Sequence, residues 1–216
     1  MRYFFLVTLI SLASASFAQK DKFREGVLTF SNGDSIRGLA AWKKNCGPSD
    51  KLYFKSNAST PEQEYSWSEI RSFRSREGKD ILKVVNMQRN LEYIDEVDFT
   101  IRLKDSTTTG PFPLVPIYIG RKLSLYTLYD KAPFYFVYDG KQVKQLVQKY
   151  RYLTPTERMF DYERGRRFHI TDEYKGVLAA FYDFSEDQKM RYILTNTIYD
   201  DQAFKSLISK MDSKMW

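Results

Sequence analysis

The chain predicts an α+β fold: an N-terminal antiparallel β-sandwich or barrel-like part followed by about three C-terminal helices. Three observations carry that expectation. Short runs alternating apolar and polar residues fill the span up to Tyr150. Two hairpin signals, Asn32-Gly33 and Asp139-Gly140, punctuate those runs. Helical spacing of apolar residues is confined to the last third. Strands first and helices last argue against alternating β-α-β units.

Taken in order, residues 23–31 and 34–42 flank Asn32-Gly33, with Leu28 and Phe30 alternating on one arm and Ile36, Ala40 and Trp42 on the other. A polar loop carrying Asn45, Gly47, Pro48 and Ser49 follows. The runs 51–55 and 64–67 offer Leu52/Phe54 and Tyr65/Trp67 as inward pairs. Residues 81–87 read as a buried strand. Val97, Phe99, Ile101 and Leu103, interleaved with Asp98, Thr100, Arg102 and Lys104, form the clearest period-2 pattern and predict one core face and one wet face. Residues 105–110 read as a polar turn, and Pro111, Pro113 and Pro116 make the next stretch poor central-strand material. Strand character resumes over 123–129 and 134–138, and Asp139-Gly140 turns into 142–147. I, i+3, i+4, i+7 spacing then links Tyr174, Val177, Leu178 and Phe181. Ser185 and Gln188 fit a capping box ahead of Met190, Ile193 and Leu194. A last helix, capped by Asp200 or Asp201, places Phe204, Leu207, Ile208, Met211 and Met215 on one face. The expected regions are 1–18, 19–150 (β-rich), 151–171 (a basic connector) and 172–216 (helical, docked on the β-rich part).

Residues 1–18 read as a secretory signal peptide. Arg2 precedes an apolar run from Tyr3 to Leu12, and Ser16-Phe17-Ala18 supplies the small-x-small site before Gln19. The run is well short of the roughly 20 residues of a spanning helix. Gln19 and not a cysteine follows the cleavage point directly, and Cys46 lies too far downstream, so a lipid anchor is not expected, and no later segment resembles a transmembrane helix. The expected address is outside the cytoplasm: periplasmic, outer-membrane-associated or extracellular. Losing Arg2 lowers the net charge from +7 to +6, an excess that favours anionic partners. Export makes nucleic acid the least expected of these.

One cysteine among 216 residues excludes an intrachain disulfide framework and a Cys-rich zinc site, and one histidine excludes every two-histidine motif. His169 has no nucleophile-and-carboxylate context, and no G-x-S-x-G elbow or phosphate-cradling glycine loop is present. Cys46 reads as a loop thiol or as one half of an intermolecular disulfide. Glu186/Asp187 and Asp200/Asp201 lack calcium-loop spacing and read as helix-terminal acids. No cofactor and no metal are expected. Trp42 and Trp67 read as core residues. The most suggestive stretch is 141–167, where eight Lys and Arg stand against three Asp and Glu, interleaved with Tyr150, Tyr152, Phe160 and Tyr162. Basic residues among aromatics suit an anionic polymer, and Tyr162, Arg164, Arg166 and Arg167 are the expected interaction face. The competing reading is a solvated connection whose arginines pair with acidic helices.

Several stretches carry a resemblance. Glu25-Gly26-Val27-Leu28 with Ser31-Asn32-Gly33-Asp34-Ser35-Ile36-Arg37-Gly38 is similar to the opening of a broad group of uncharacterised secreted proteins of Bacteroidota envelopes. Lys51-Leu52-Tyr53-Phe54-Lys55, Gly120-Arg121-Lys122-Leu123-Ser124-Leu125-Tyr126 and Tyr174-Lys175-Gly176-Val177-Leu178 fit the same group. The resemblance implies an envelope address and carries no catalytic residue. The functional expectation is a non-enzymatic module that binds an envelope protein or an anionic glycan. Its alternative is a secreted hydrolase whose carboxylates only the fold brings together.

Overall fold

The computed structural model describes residues 23–43, 50–95, 97–160 and 168–215. The expected signal peptide and Cys46 lie outside the described residues. In chain order the elements are β1 (Arg24–Phe30), β2 (Ser35–Ala41), β3 (Lys51–Lys55), β4 (Gln63–Ser66), a 3-10 turn (Trp67–Glu69), β5 (Ile70–Ser75) and β6 (Asp80–Asn90). There follow β7 (Tyr93–Asp95), β8 (Thr100–Arg102), β9 (Thr107–Ile119), β10 (Ser124–Tyr129), β11 (Pro133–Tyr138), β12 (Val143–Leu146) and β13 (Lys149–Tyr152). Last come α1 (Pro155–Phe160), β14 (Phe168–Thr171), α2 (Glu173–Ala179), α3 (Gln188–Asn196) and α4 (Asp201–Lys214). The fold is α+β, mostly antiparallel sheet, with its helices mostly C-terminal.

Ten strands make one open sheet in the order β12-β11-β10-β9-β6-β5-β1-β2-β3-β4, and β13–β14 and β7–β8 are separate two-stranded ribbons. The sheet curls. Gln145 on β12 accepts from the Asn90 backbone amide at 2.7 Å and donates to the Asn90 carbonyl at 3.0 Å, although β12 and β6 are four places apart in the order. The curl encloses Leu28, Leu52, Phe54, Trp67, Phe73, Leu82, Phe112, Leu114, Leu128 and Phe136, each at most 1% exposed. β10 and β11 are buried on both faces. Tyr126, Leu128, Phe134 and Phe136 join this first core, while Leu125, Tyr135 and Val137 join a second one made with the helices.

The β1–β2 hairpin also explains a spacing in the sequence. Gly26 and Gly38 sit directly opposite each other in the ladder. A Cβ on Gly38 would lie 2.2 Å from the Lys55 carbonyl oxygen and 2.4 Å from the Phe54 ring; one on Gly26 would lie 2.0 Å from the Arg74 carbonyl oxygen and 2.7 Å from Phe73. The two glycines let core aromatics from β3 and β5 cover the sheet where side chains would exclude them.

Helices α2, α3 and α4 cover the outer face of β10–β12 with Tyr174, Leu178, Met190, Leu194, Phe204, Leu207, Ile208 and Met211, the stripes read from the sequence. Asp212, buried on α4, accepts from the backbone amides of Arg121, Lys122 and Leu123 at 3.0, 2.6 and 2.7 Å and from the Tyr118 hydroxyl at 3.1 Å. Its carboxylate thereby closes the β9–β10 turn onto the helix. At Gly120 a Cβ would come within 2.5 Å of Asp212 Oδ2, so the Gly120–Leu123 motif is the receptor of this carboxylate.

Several expectations are corrected. The 97–103 alternation is not a half-buried strand: only Thr100–Arg102 is extended, and Val97, Phe99 and Leu103 are 92%, 56% and 51% exposed. The supposed turn and proline stretch is β9, paired with both β6 and β10. Along 107–114 β9 has β6 alone as a neighbour, and Pro111 and Pro113, two residues apart, turn their ring nitrogens to one side. That ladder therefore does not need their missing donors. The Asp139 amide bonds the Gln142 carbonyl, so the tight turn is centred on Gly140-Lys141 rather than Asp139-Gly140. The α3 cap is Asp187, which accepts from the Met190 amide at 3.0 Å, and not Ser185. The connector is not irregular throughout, because its β13 and β14 arms pair in register.

Candidate functional site

Of the expected interaction face, Tyr162, Arg164, Arg166 and Arg167 all lie outside the described residues. The described part of the basic stretch is largely engaged within the molecule. Lys149 pairs with Asp105 at 3.2 Å and with Glu92 at 3.5 Å, and Arg151 makes a two-pronged bond to Glu157. Arg151 and the Thr154 donors hold the Glu157 carboxyl down at about 2. Lys144 lies over the Phe181 ring and Arg158 donates to the Leu153 carbonyl. His169, on β14 opposite Arg151, is exposed.

The connector's aromatics instead wall a half-open cleft of about 320 Å³. Alternation along the β13–β14 ribbon places Tyr150 opposite Ile170 and Tyr152 opposite Phe168, with Tyr150 and Phe168 meeting edge to face at 6.3 Å. Phe168, Ile170 and Tyr150 form one side of the cleft. The β7–β8 ribbon contributes Tyr93, Ile94 and Phe99, the curled end of the main sheet contributes Pro133, Phe134 and Val147, and the α3–α4 connection contributes Tyr199. The rim is apolar and open, with Phe99 and Ile170 both exposed.

Most polar groups in the cleft are already committed. Glu92, the one carboxylate lining it among the described residues, is buried and accepts from the Tyr150 amide at 2.7 Å and the Asp105 amide at 2.9 Å, with Lys149 beside it. Gln145 is spent on Asn90. Gln148 accepts from the Tyr150 hydroxyl and donates to Asp172. The Tyr199 hydroxyl donates to the Leu146 carbonyl at 2.7 Å. Burial, then the charges of Glu92 and Asp172, push the Tyr150 phenol up to about 12, and burial pushes Tyr199 up as well. Both stay neutral at physiological pH. Among the described residues the cleft thus presents apolar and aromatic surface with an electrically balanced floor, and no paired carboxylates of the kind glycoside hydrolysis needs.

Behind the Phe134 wall, the buried guanidinium of Arg89 lies between the Phe112 and Phe134 rings, 4.9 and 4.8 Å from their centroids, and pairs with Asp130. It does not line the cleft, and its Nε and Nη1 have no partner. Among the described residues, no three His, Cys, Asp or Glu side chains come together as a metal set, and no helix is long and apolar enough to cross a membrane. Compared with models of protein families, with curated proteins and with solved structures, the chain has no match.

Sequence reasoning missed Phe99 and Ile170 as site residues because it placed the first in a core strand and the second in a connector. The available signal was the 97–103 alternation itself, an apolar series followed at once by a polar, lysine-bearing turn.

Proposed function

We propose that this is an exported, non-enzymatic binding module of the cell envelope. Its cleft takes an extended, apolar segment of a protein partner. The observation that carries the reading is the exposure of Phe99 and Ile170 on the rim of a cleft most of whose polar groups are already paired inside the molecule. Apolar surface left open beside a preformed hollow is the usual mark of a recognition site. A neutral floor suits neutral side chains. Among the described residues it offers no unpaired cation to an anionic glycan, and this favours a protein over the glycan. The envelope address rests on the signal peptide of residues 1–18 and on the resemblance to secreted Bacteroidota proteins. β14 fits an extended partner: among the described residues it pairs only with β13. A strand laid beside it would direct alternate side chains to the Phe168/Ile170 face.

The test is selection from a displayed random-peptide library on the purified chain, with the Phe99→Asp/Ile170→Asp double variant alongside. Peptides with alternating apolar residues should be enriched, and the variant should bind them about 100-fold more weakly. Equal recovery by both proteins, or retention of sulfated glycan in place of peptide, would overturn the protein-binding reading.

A further inference from the structure

The large apolar side chains left exposed among the described residues fall into two sets. Val97, Phe99, Leu103, Tyr152 and Ile170 belong to the two ribbons and their turns. Ile119, Tyr192 and Ile198 stand apart on the helical side of the molecule, 53%, 71% and 66% exposed. We propose that this side is a docking face for an anionic bilayer surface. The chain lies on it peripherally, through the outer faces of α3 and α4 and the β9–β10 turn.

The face follows from how the helices pack. Phe204, Leu207, Ile208, Met211 and Asp212 turn one side of α4 inward. Ser206, Lys210 and Ser213, at i, i+4 and i+7, take the opposite side and are exposed. On α3, Met190 and Leu194 point in, while Lys189 and Tyr192 are exposed. Lys214, at the end of α4, pairs with Asp187, the cap of α3, so the two helices lie side by side with their ends reversed. The β9–β10 turn meets the Asp212 flank of α4. That carboxylate holds three amides of the turn and so sets Ile119, Arg121 and Lys122 beside the helix.

The outer faces of the two helices carry charge of one sign. α3 has no Asp or Glu, and both acids of α4 are engaged: Asp201 takes the Tyr129 hydroxyl at 2.7 Å, and Asp212 takes the turn. The exposed acids Asp183 and Glu186 stand ahead of α3, in the loop from α2. Among the described residues no carboxylate pairs with Lys122, Lys189, Lys205 or Lys210. An anionic bilayer attracts such cations, each strengthening binding about fivefold, and lysine stems let the charge reach the headgroups. Charge alone would suit an anionic glycan equally. The exposed isoleucines and Tyr192 decide for a bilayer, because apolar side chains gain by entering the boundary between headgroups and acyl chains and gain little from a hydrated glycan.

None of these residues lines the cleft, so either reading can fail without the other. The test is cosedimentation of the purified chain with vesicles of phosphatidylcholine alone, and of phosphatidylcholine and phosphatidylglycerol in equal parts. The chain should sediment with the mixed vesicles, stay in solution with the neutral ones, and be released by high salt. Lys122→Gln/Lys205→Gln/Lys210→Gln should bind about 100-fold more weakly, and Ile119→Ser/Tyr192→Ser about tenfold, both with the melting curve of wild type. Removing the same charge from the β1–β6 half of the sheet, with Arg37→Gln/Arg71→Gln/Lys79→Gln, should leave binding as it is. Full binding by either helix-side variant, equal losses in the two charge variants, or equal binding to neutral vesicles would overturn the proposal. So would capture by a sulfated glycan or a second copy of the chain in place of vesicles.

Discussion

Replacing Asp212 by Asn is expected to remove about 3–4 kcal/mol of stability and to lower the melting temperature by about 10 °C. The carboxylate is buried and takes four donors, three of them consecutive backbone amides. An amide side chain would turn N–H groups toward donors that it cannot accept from. The effect has a pH signature. Burial pulls the Asp212 carboxyl upward, but the amides of Leu123, Lys122 and Arg121 and the Tyr118 hydroxyl outweigh it and hold the group below its ordinary 3.8. A carboxyl depressed in the folded state stabilises fully above its unfolded value and loses that contribution as pH falls through the folded one. Wild type should therefore lose stability steeply below about pH 4, and the gap to Asp212→Asn should narrow there. Thermal melts from pH 7 downward check both points.

The second large effect is at Gly38. Substitution by Ala should cost about 3 kcal/mol, because the new carbon meets the Lys55 carbonyl at 2.2 Å and the Phe54 ring at 2.4 Å. A ring can tilt, but a paired strand backbone cannot yield without moving β3. Gly176 is the contrast, since it lies exposed in α2 with nothing within 4 Å of an added Cβ. There Ala should stabilise by about 0.5–1 kcal/mol through helix propensity alone. Urea denaturation of the two variants should move in opposite directions from wild type.

Local signals were legible where the physics is local. Asn32-Gly33 marked a real hairpin, and the apolar stripes of α2, α3 and α4 face the core as their spacing requires. Long-range facts were not. Nothing near β9 in the sequence says that its prolines fall where only one neighbour strand pairs. Nothing near Lys149 says that β13 will meet β14 across α1. The 97–103 alternation misled because period 2 reports extended, two-faced backbone and not what covers it. Asp212 could have been found: it stands four residues after Ile208, on the apolar stripe of α4, where a charge needs a partner. The rim residues of the cleft were legible as apolar and illegible as exposed, because exposure depends on how the two ribbons meet.

The most direct measurement is site-specific photocrosslinking in cells that make the protein. The photoreactive side chain is placed in turn at Phe99, Ile170 and Arg37, the last on the exposed face of β2 away from the cleft. The account predicts adducts from positions 99 and 170 to one envelope protein and none from position 37. Adducts from position 37 alone, or none from the two cleft positions, would contradict it.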